Sequence, residues 1–136
     1  MAVLVIASLG FASVVSAQSD NGMGTLNAEG GGFAGLHGAG YMRISGRGVL
    51  WVKGEESIEI RSDGHKKVFP DGWTEYAGFD GAARIRGQDV SVLMAGEGID
   101  LYAIGAGRAI LWDEGTYEIN GLITGRWSDT IGILDY

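Results

Sequence analysis

The chain has 136 residues, a formal charge of −7, no cysteine and one proline. That length gives a single domain able to bury a core unaided, and the lack of cysteine excludes disulfide and thiolate chemistry. The acidic balance argues against nucleic acid and anionic membrane surfaces as partners, since both are held by Lys and Arg.

Glycine is the compositional anomaly, at 25 residues against an average usage of about 7%. Collagen would need Gly at every third position and abundant Pro, so these glycines must serve turns or close backbone approach.

Residues 1–17 carry no charged side chain, and Val15-Ser16-Ala17 has the small residues of a cleavage site that would leave Gln18 as the new terminus. The run is shorter than the ~20 residues a membrane-spanning helix needs. Its first basic residue comes only at Arg43, so the usual cationic start is missing. The expectation is a signal peptide over 1–17 and an exported protein, whether periplasmic, cell-surface or secreted, with no membrane span in the mature chain. The alternative is a buried hairpin of residues 2–8 and 11–17 around Leu9-Gly10.

Residues 18–136 read as one all-β domain. In the first strand set, 24–53, Gly22-x-Gly24, Gly30-x-Gly32, Gly38-x-Gly40 and Gly46-x-Gly48 recur every eight residues. The segments between them alternate, with Leu26, Ala28, Ala34, Leu36, Met42, Ile44, Leu50 and Val52 on one face. Three-residue hairpin turns centred on Gly31, Ala39 and Arg47 would pair Leu26 with Leu36, Ala34 with Ile44 and Met42 with Val52. An excursion over 54–77 follows, with Ile58 and Ile60 alternating and turns at Asp63-Gly64 and Pro70-Asp71-Gly72, then a return strand at 73–76. In the second set, 78–127, the beat lengthens to nine at Gly78, Gly87, Gly96 and Gly105. Turns there would pair Ile85 with Val90, Met94 with Ile99, and Leu101 with Leu111. Asn120-Gly121 reads as a tight turn before a last strand at 122–127.

The expected fold is an antiparallel β-meander of short strands with Gly-x-Gly turns, forming a two-sheet sandwich or a closed barrel. The change of beat would mark the two halves. A β-solenoid is the alternative. Residues 96–101 resemble half of a calcium-binding nonapeptide repeat, but only Asp100 fills the ligand place; Leu26, Met42, Leu50 and Ala109 stand there in other turns, so no calcium site is expected.

No catalytic, cofactor or metal residue is expected. His37 and His65 are too few for zinc without cysteine. Ser62, Asp63 and His65 are neighbours in a turn and do not converge as a triad does. Nothing orders Glu55, Glu56, Asp71, Glu75, Asp113 or Glu114 into an acid–base pair. The Gly-x-Gly pieces precede no helix, so they offer no dinucleotide site.

The outward face is more informative. Tyr41, Arg43, Trp51, Trp73, Tyr102, Ile110 and Trp112 form the candidate partner or ligand surface, with Leu93 and Ile104 on the same parity. The meander register would set Arg43 across from Trp51 as a cation–π pair, with Gly35 on its other side, and Tyr41 across from His37. Either the excursion and tail cover these residues or another molecule does. The leading reading is a non-catalytic structural, assembly or surface-interaction protein, self-associating or bound to an extracellular partner. The second is a carbohydrate- or ligand-binding module using the outward aromatics.

Overall fold

Alternation of apolar and polar residues carries the chain in extended conformation almost without a break. The computed structural model describes residues 23–129 and 134–136; the signal-peptide expectation for 1–17 lies outside the described residues. These are 86% strand with no α-helix. The elements are β1 (Gly24–Lys53), β2 (Ser57–Val68), β3 (Thr74–Ile119), β4 (Ile123–Arg126), a 3-10 turn at Trp127–Asp129, and β5 (Leu134–Asp135). They form one antiparallel, open sheet. No helix among the described residues is long and apolar enough to cross a membrane.

The expected tight turn at Pro70-Asp71-Gly72 is present. Phe69 N–H donates to the Trp73 carbonyl (2.8 Å), and Gly72 N–H donates to the Phe69 carbonyl (3.1 Å). The Asp71 carboxylate accepts from Trp73 N–H at 3.2 Å. From this tip a single ladder runs back along the whole molecule: Val68 opposite Thr74, Ser57 opposite Arg86, then Val52 opposite Val92, Ile44 opposite Leu101 and Leu26 opposite Ile119. β1 and β2 are therefore the outgoing arm, and β3 the return arm, of one long hairpin.

β1 also pairs with β3 along its other edge, Val52 with Thr74, Ile44 with Ala83 and Leu26 with Ala103. Ala83 and Leu101 thus flank Ile44 in the same chain direction. Fully extended, the chain between them would reach about 60 Å, yet they sit two strand spacings apart, about 10 Å. The ribbon must therefore wind round on itself. On the outgoing arm one circuit takes sixteen residues, since Leu101 meets both Ala28 and Ile44. Each circuit spans two of the eight-residue beats.

This overturns the local pairing expected from the sequence. Leu26 does not face Leu36, nor Ile85 Val90; consecutive segments lie along one continuous strand, and their partners come from the other arm. The Gly-x-Gly pieces are corners of the coil and not hairpin turns. Asp63-Gly64 is likewise a corner within β2, where the ladder slips by one residue.

The two beats are explained by the same register. From Val68 to Asp63 the return arm runs from Thr74 to Asp80, one residue more. It gains another where Ser57 opposite Arg86 gives way to Lys53 opposite Ser91, and a third where Arg47 opposite Glu97 gives way to Ser45 opposite Asp100. One bulge residue at each of these three corners turns the eight-residue beat into nine; the register then holds from Ser45–Asp100 to Gly30–Gly115 with no further gain. The change of beat marks the two arms of one hairpin, and not two halves of a meander.

At the corners, glycine lies opposite glycine, as in Gly30–Gly115, Gly38–Gly107, Gly40–Gly105 and Gly48–Gly96. Gly40 shows why. Its φ is +123°, and a Cβ there would run into the Ile104 carbonyl.

The inward residues of both arms make one core. All eight alternating residues expected for β1 are buried, together with Phe79, Ala83, Ile85, Val92, Met94, Leu101, Leu111 and Ile119. One end of the coil is closed. Asn120 and Gly121, both at positive φ, turn the chain into β4. There the Asn120 side-chain oxygen accepts from Thr25 N–H at 2.7 Å. Trp127 is buried and donates from Nε1 to the Thr116 carbonyl at 2.9 Å. Buried Tyr136 exchanges backbone bonds with Gly107. The opposite end is the free edge of β2, where Ile58 and Ile60 are half-buried and Val68 is exposed.

Candidate functional site

Outward side chains fall into two sets because each circuit has two runs between corners. One set comes from segments 33–37, 49–53, 65–68, 74–77, 91–95 and 108–112, which are neighbours in the ladders. Along one row lie Ile110, Gly35, Leu93, Trp51, Glu75 and Lys67; along the next lie Trp112, Phe33, Ala95 and Val49. Parity dictates that these point away from the core, and yet most are apolar. Trp112 is 59% exposed. Its ring sits 5.6 Å from that of Phe33, tilted by 38°. Gly35 leaves room for this packing, since a Cβ there would press on Leu93 at 3.0 Å. Trp51 donates from Nε1 to the Glu75 carboxylate at 3.0 Å. At the margin, Lys53 lies over Trp73 (5.8 Å) and Lys67 over Phe69 (5.0 Å).

The second set comes from segments 25–29, 41–45, 57–61, 82–86, 99–104 and 116–118. Here Arg43 lies between Tyr102 and Arg84, and Tyr41 between Ile104 and Arg86. The Arg43 guanidinium carbon is 5.8 Å from the Tyr102 ring centre, and that of Arg86 is 4.7 Å from Tyr41. The two tyrosine rings are 6.5 Å apart.

The structure therefore divides the seven expected surface residues. Trp51, Ile110 and Trp112 share one face with Trp73 at its edge, while Tyr41, Arg43 and Tyr102 share the other. The expected Arg43–Trp51 and Tyr41–His37 pairs do not form, because those residues belong to different runs of the coil. Arg84 and Arg86 were missed. Their outward parity was readable, but their neighbours depend on the long-range register.

One further cluster was not foreseen. His37 contacts Ser91 Oγ through Nδ1 at 2.8 Å and Asp89 through Nε2 at 3.1 Å. His37 and Asp89 are both well exposed to water, with side-chain accessibilities of 54% and 84%. A solvated carboxylate on Nε2 and a hydroxyl on Nδ1 invert the nitrogen roles of a hydrolytic triad and give the hydroxyl no activated base. The described residues contain no group of three or more His, Asp or Glu placed to hold a metal ion. The shifted ionisations lie elsewhere. Burial raises Tyr76, with Glu55 adding to the effect; burial also raises Asp135, partly offset by Arg108, and Tyr136. A groove of about 490 Å³ lies between residues 27–29, 116–118 and 124–126, at the end of the second set, where Asn27 is the cross-strand neighbour of Tyr102. No protein-family model, no curated protein and no solved structure matches this chain.

Proposed function

We propose that this is a non-catalytic, exported assembly protein whose apolar outer face packs against the same face of a second copy. In this reading the coil is flattened at its glycine corners into two facing sheets, so that each set of outward residues lies on its own broad face. The observation that carries the proposal is the apolar patch of half-buried Phe33, Val49, Trp51, Leu93, Ala95 and Ile110 with exposed Trp112, on strands whose inward residues already fill the core. Large exposed apolar patches mark association sites.

Charge favours a second copy as the occupant. Arg108, Lys53 and His37, the last bridged to Asp89, stand at one end of the patch's strands, and Asp113, Glu114 and Glu97, the last bridged to Arg47, at the other, which leaves the second end the more acidic. A two-fold axis lying in the face and crossing the strands brings each cationic end over a partner's acidic end. Pairing through the β2 edge is disfavoured. Exposed Lys66 and Lys67 stand on this edge strand, and lysine on an edge blunts edge-to-edge pairing.

The four strand segments of the patch, about 4.8 Å apart and five residues deep, make a face of roughly 19 by 17 Å. That is about 320 Å² in projection, less than half of the ~800 Å² per partner typical of stable pairs. Association should therefore be reversible and in the micromolar range or weaker. Sedimentation from micromolar to millimolar concentration tests this. A monomer throughout, or dimerisation unaltered in Ile110→Lys and Leu93→Lys, rejects the assembly.

A further inference from the structure

The tyrosine–arginine rows form a second surface that the assembly does not use. Arg43 and Arg84 are direct cross-strand neighbours, and like charges so placed oppose folding. Arg86 follows one pleat along beside Tyr41. Glu59 lies 3.9 Å from Arg84 and 3.6 Å from Arg61. Among the described residues neither Arg43 nor Arg86 has a carboxylate within ion-pair distance; each lies over a tyrosine ring instead. A guanidinium laid on a ring keeps its hydrogen-bonding edge free while its plane is held. Beside these groups runs a shallow groove of about 290 Å³, lined by Tyr41, Ser57, Ile58, Glu59, Arg84 and Arg86. Three of the seven arginines of an acidic chain are thus gathered on adjoining positions.

We propose that this face binds an anionic polysaccharide, one whose sugars carry carboxylate or sulfate groups. Arginine forks match oxyanions in bidentate fashion. Tyrosine offers a flat apolar face for the C–H side of a sugar ring and a hydroxyl at its rim. Neighbouring guanidinium stems are spaced by about 5 Å across strands and ~7 Å along them, a scale comparable with successive units of an extended glycan. A cluster of three spread over two rows favours a polymer over a single small anion.

The test is titration calorimetry with polygalacturonate and with dextran sulfate, with neutral dextran and single-stranded oligothymidylate as comparisons. Both acidic glycans should bind, neutral dextran should not, and salt should weaken binding. Arg43→Gln and Arg86→Gln should each lower affinity about tenfold, the loss expected for one charge-assisted contact. Arg43→Gln should melt at or above the wild-type temperature, since it removes the like-charged pair. Ile110→Lys, which breaks the assembly face, should bind normally. The proposal is overturned by absence of binding to both acidic glycans at low salt, by equal binding of neutral dextran, by tighter binding of the oligonucleotide, or by full affinity in the Arg43→Gln/Arg86→Gln double variant. A fall in melting temperature for Arg43→Gln would make the arginine structural and would also overturn it.

Discussion

Gly40 and Gly98 look alike in the sequence, each the second glycine of a Gly-x-Gly corner, but they answer to different constraints. At Gly40 a Cβ meets the Ile104 carbonyl of the neighbouring arm; at Gly98 it meets nothing within 4 Å, although φ is +62°. Gly98→Ala should therefore cost only the left-handed strain of about 1 kcal/mol. Gly40→Ala must also push the two arms apart, and should cost about 3 kcal/mol or more. Urea unfolding of the two variants separates these values, and equal losses would show that the corners are not in contact. Asp135 supplies the pH dependence. Burial raises its pKa, so the folded state holds a proton that the unfolded state releases. Its contribution is full below the ordinary carboxylate range and is lost as pH rises through the raised value. Asp135→Asn should thus be more stable than wild type at pH 7, by about 1 kcal/mol. The gap should vanish in thermal melts at acid pH.

At the scale of elements, the turn at Asn120 and the independence of β1 are open to test. Asn120 adopts φ +54° and satisfies Thr25 N–H through its side chain. Asn120→Ala loses both advantages and should cost about 2 kcal/mol by chemical denaturation. A peptide of residues 24–53 should have no β structure by circular dichroism, because every ladder partner of β1 lies in β3. A meander would have formed four paired strands from that stretch alone. The inward set of β1 was legible from alternation, since Leu26, Met42 and Leu50 are all buried as their parity requires. Their partners were not. Parity is kept by every even register, so pairing Leu26 with Leu36 or with Ile119 puts the same side chain inside. The turns at Pro70-Asp71-Gly72 and Asn120-Gly121 were legible because their chemistry is local. The candidate surface was legible residue by residue but not as two faces, because that division depends on which runs of the coil lie side by side.

For the whole molecule, almost all order depends on distant contacts. Leu26 must find Ala103 and Ile119 before the closed end of the coil exists. Such topology folds slowly, and refolding after denaturant dilution should take milliseconds to seconds, as in other proteins dominated by non-local strand pairing. Microsecond refolding would contradict the register.

The winding also limits how such a chain can change in length. Lengthening one arm alone would slide every later corner out of line with its glycine partner. Growth by a full circuit needs sixteen residues added to the outgoing arm and a matching stretch, bulges included, to the return arm. Homologous chains of other lengths should therefore differ by coordinated additions at two separated places, equidistant from the Pro70 tip. A single insertion between corners should be tolerated only at that tip or beyond Ile119, where no second ladder has to follow it.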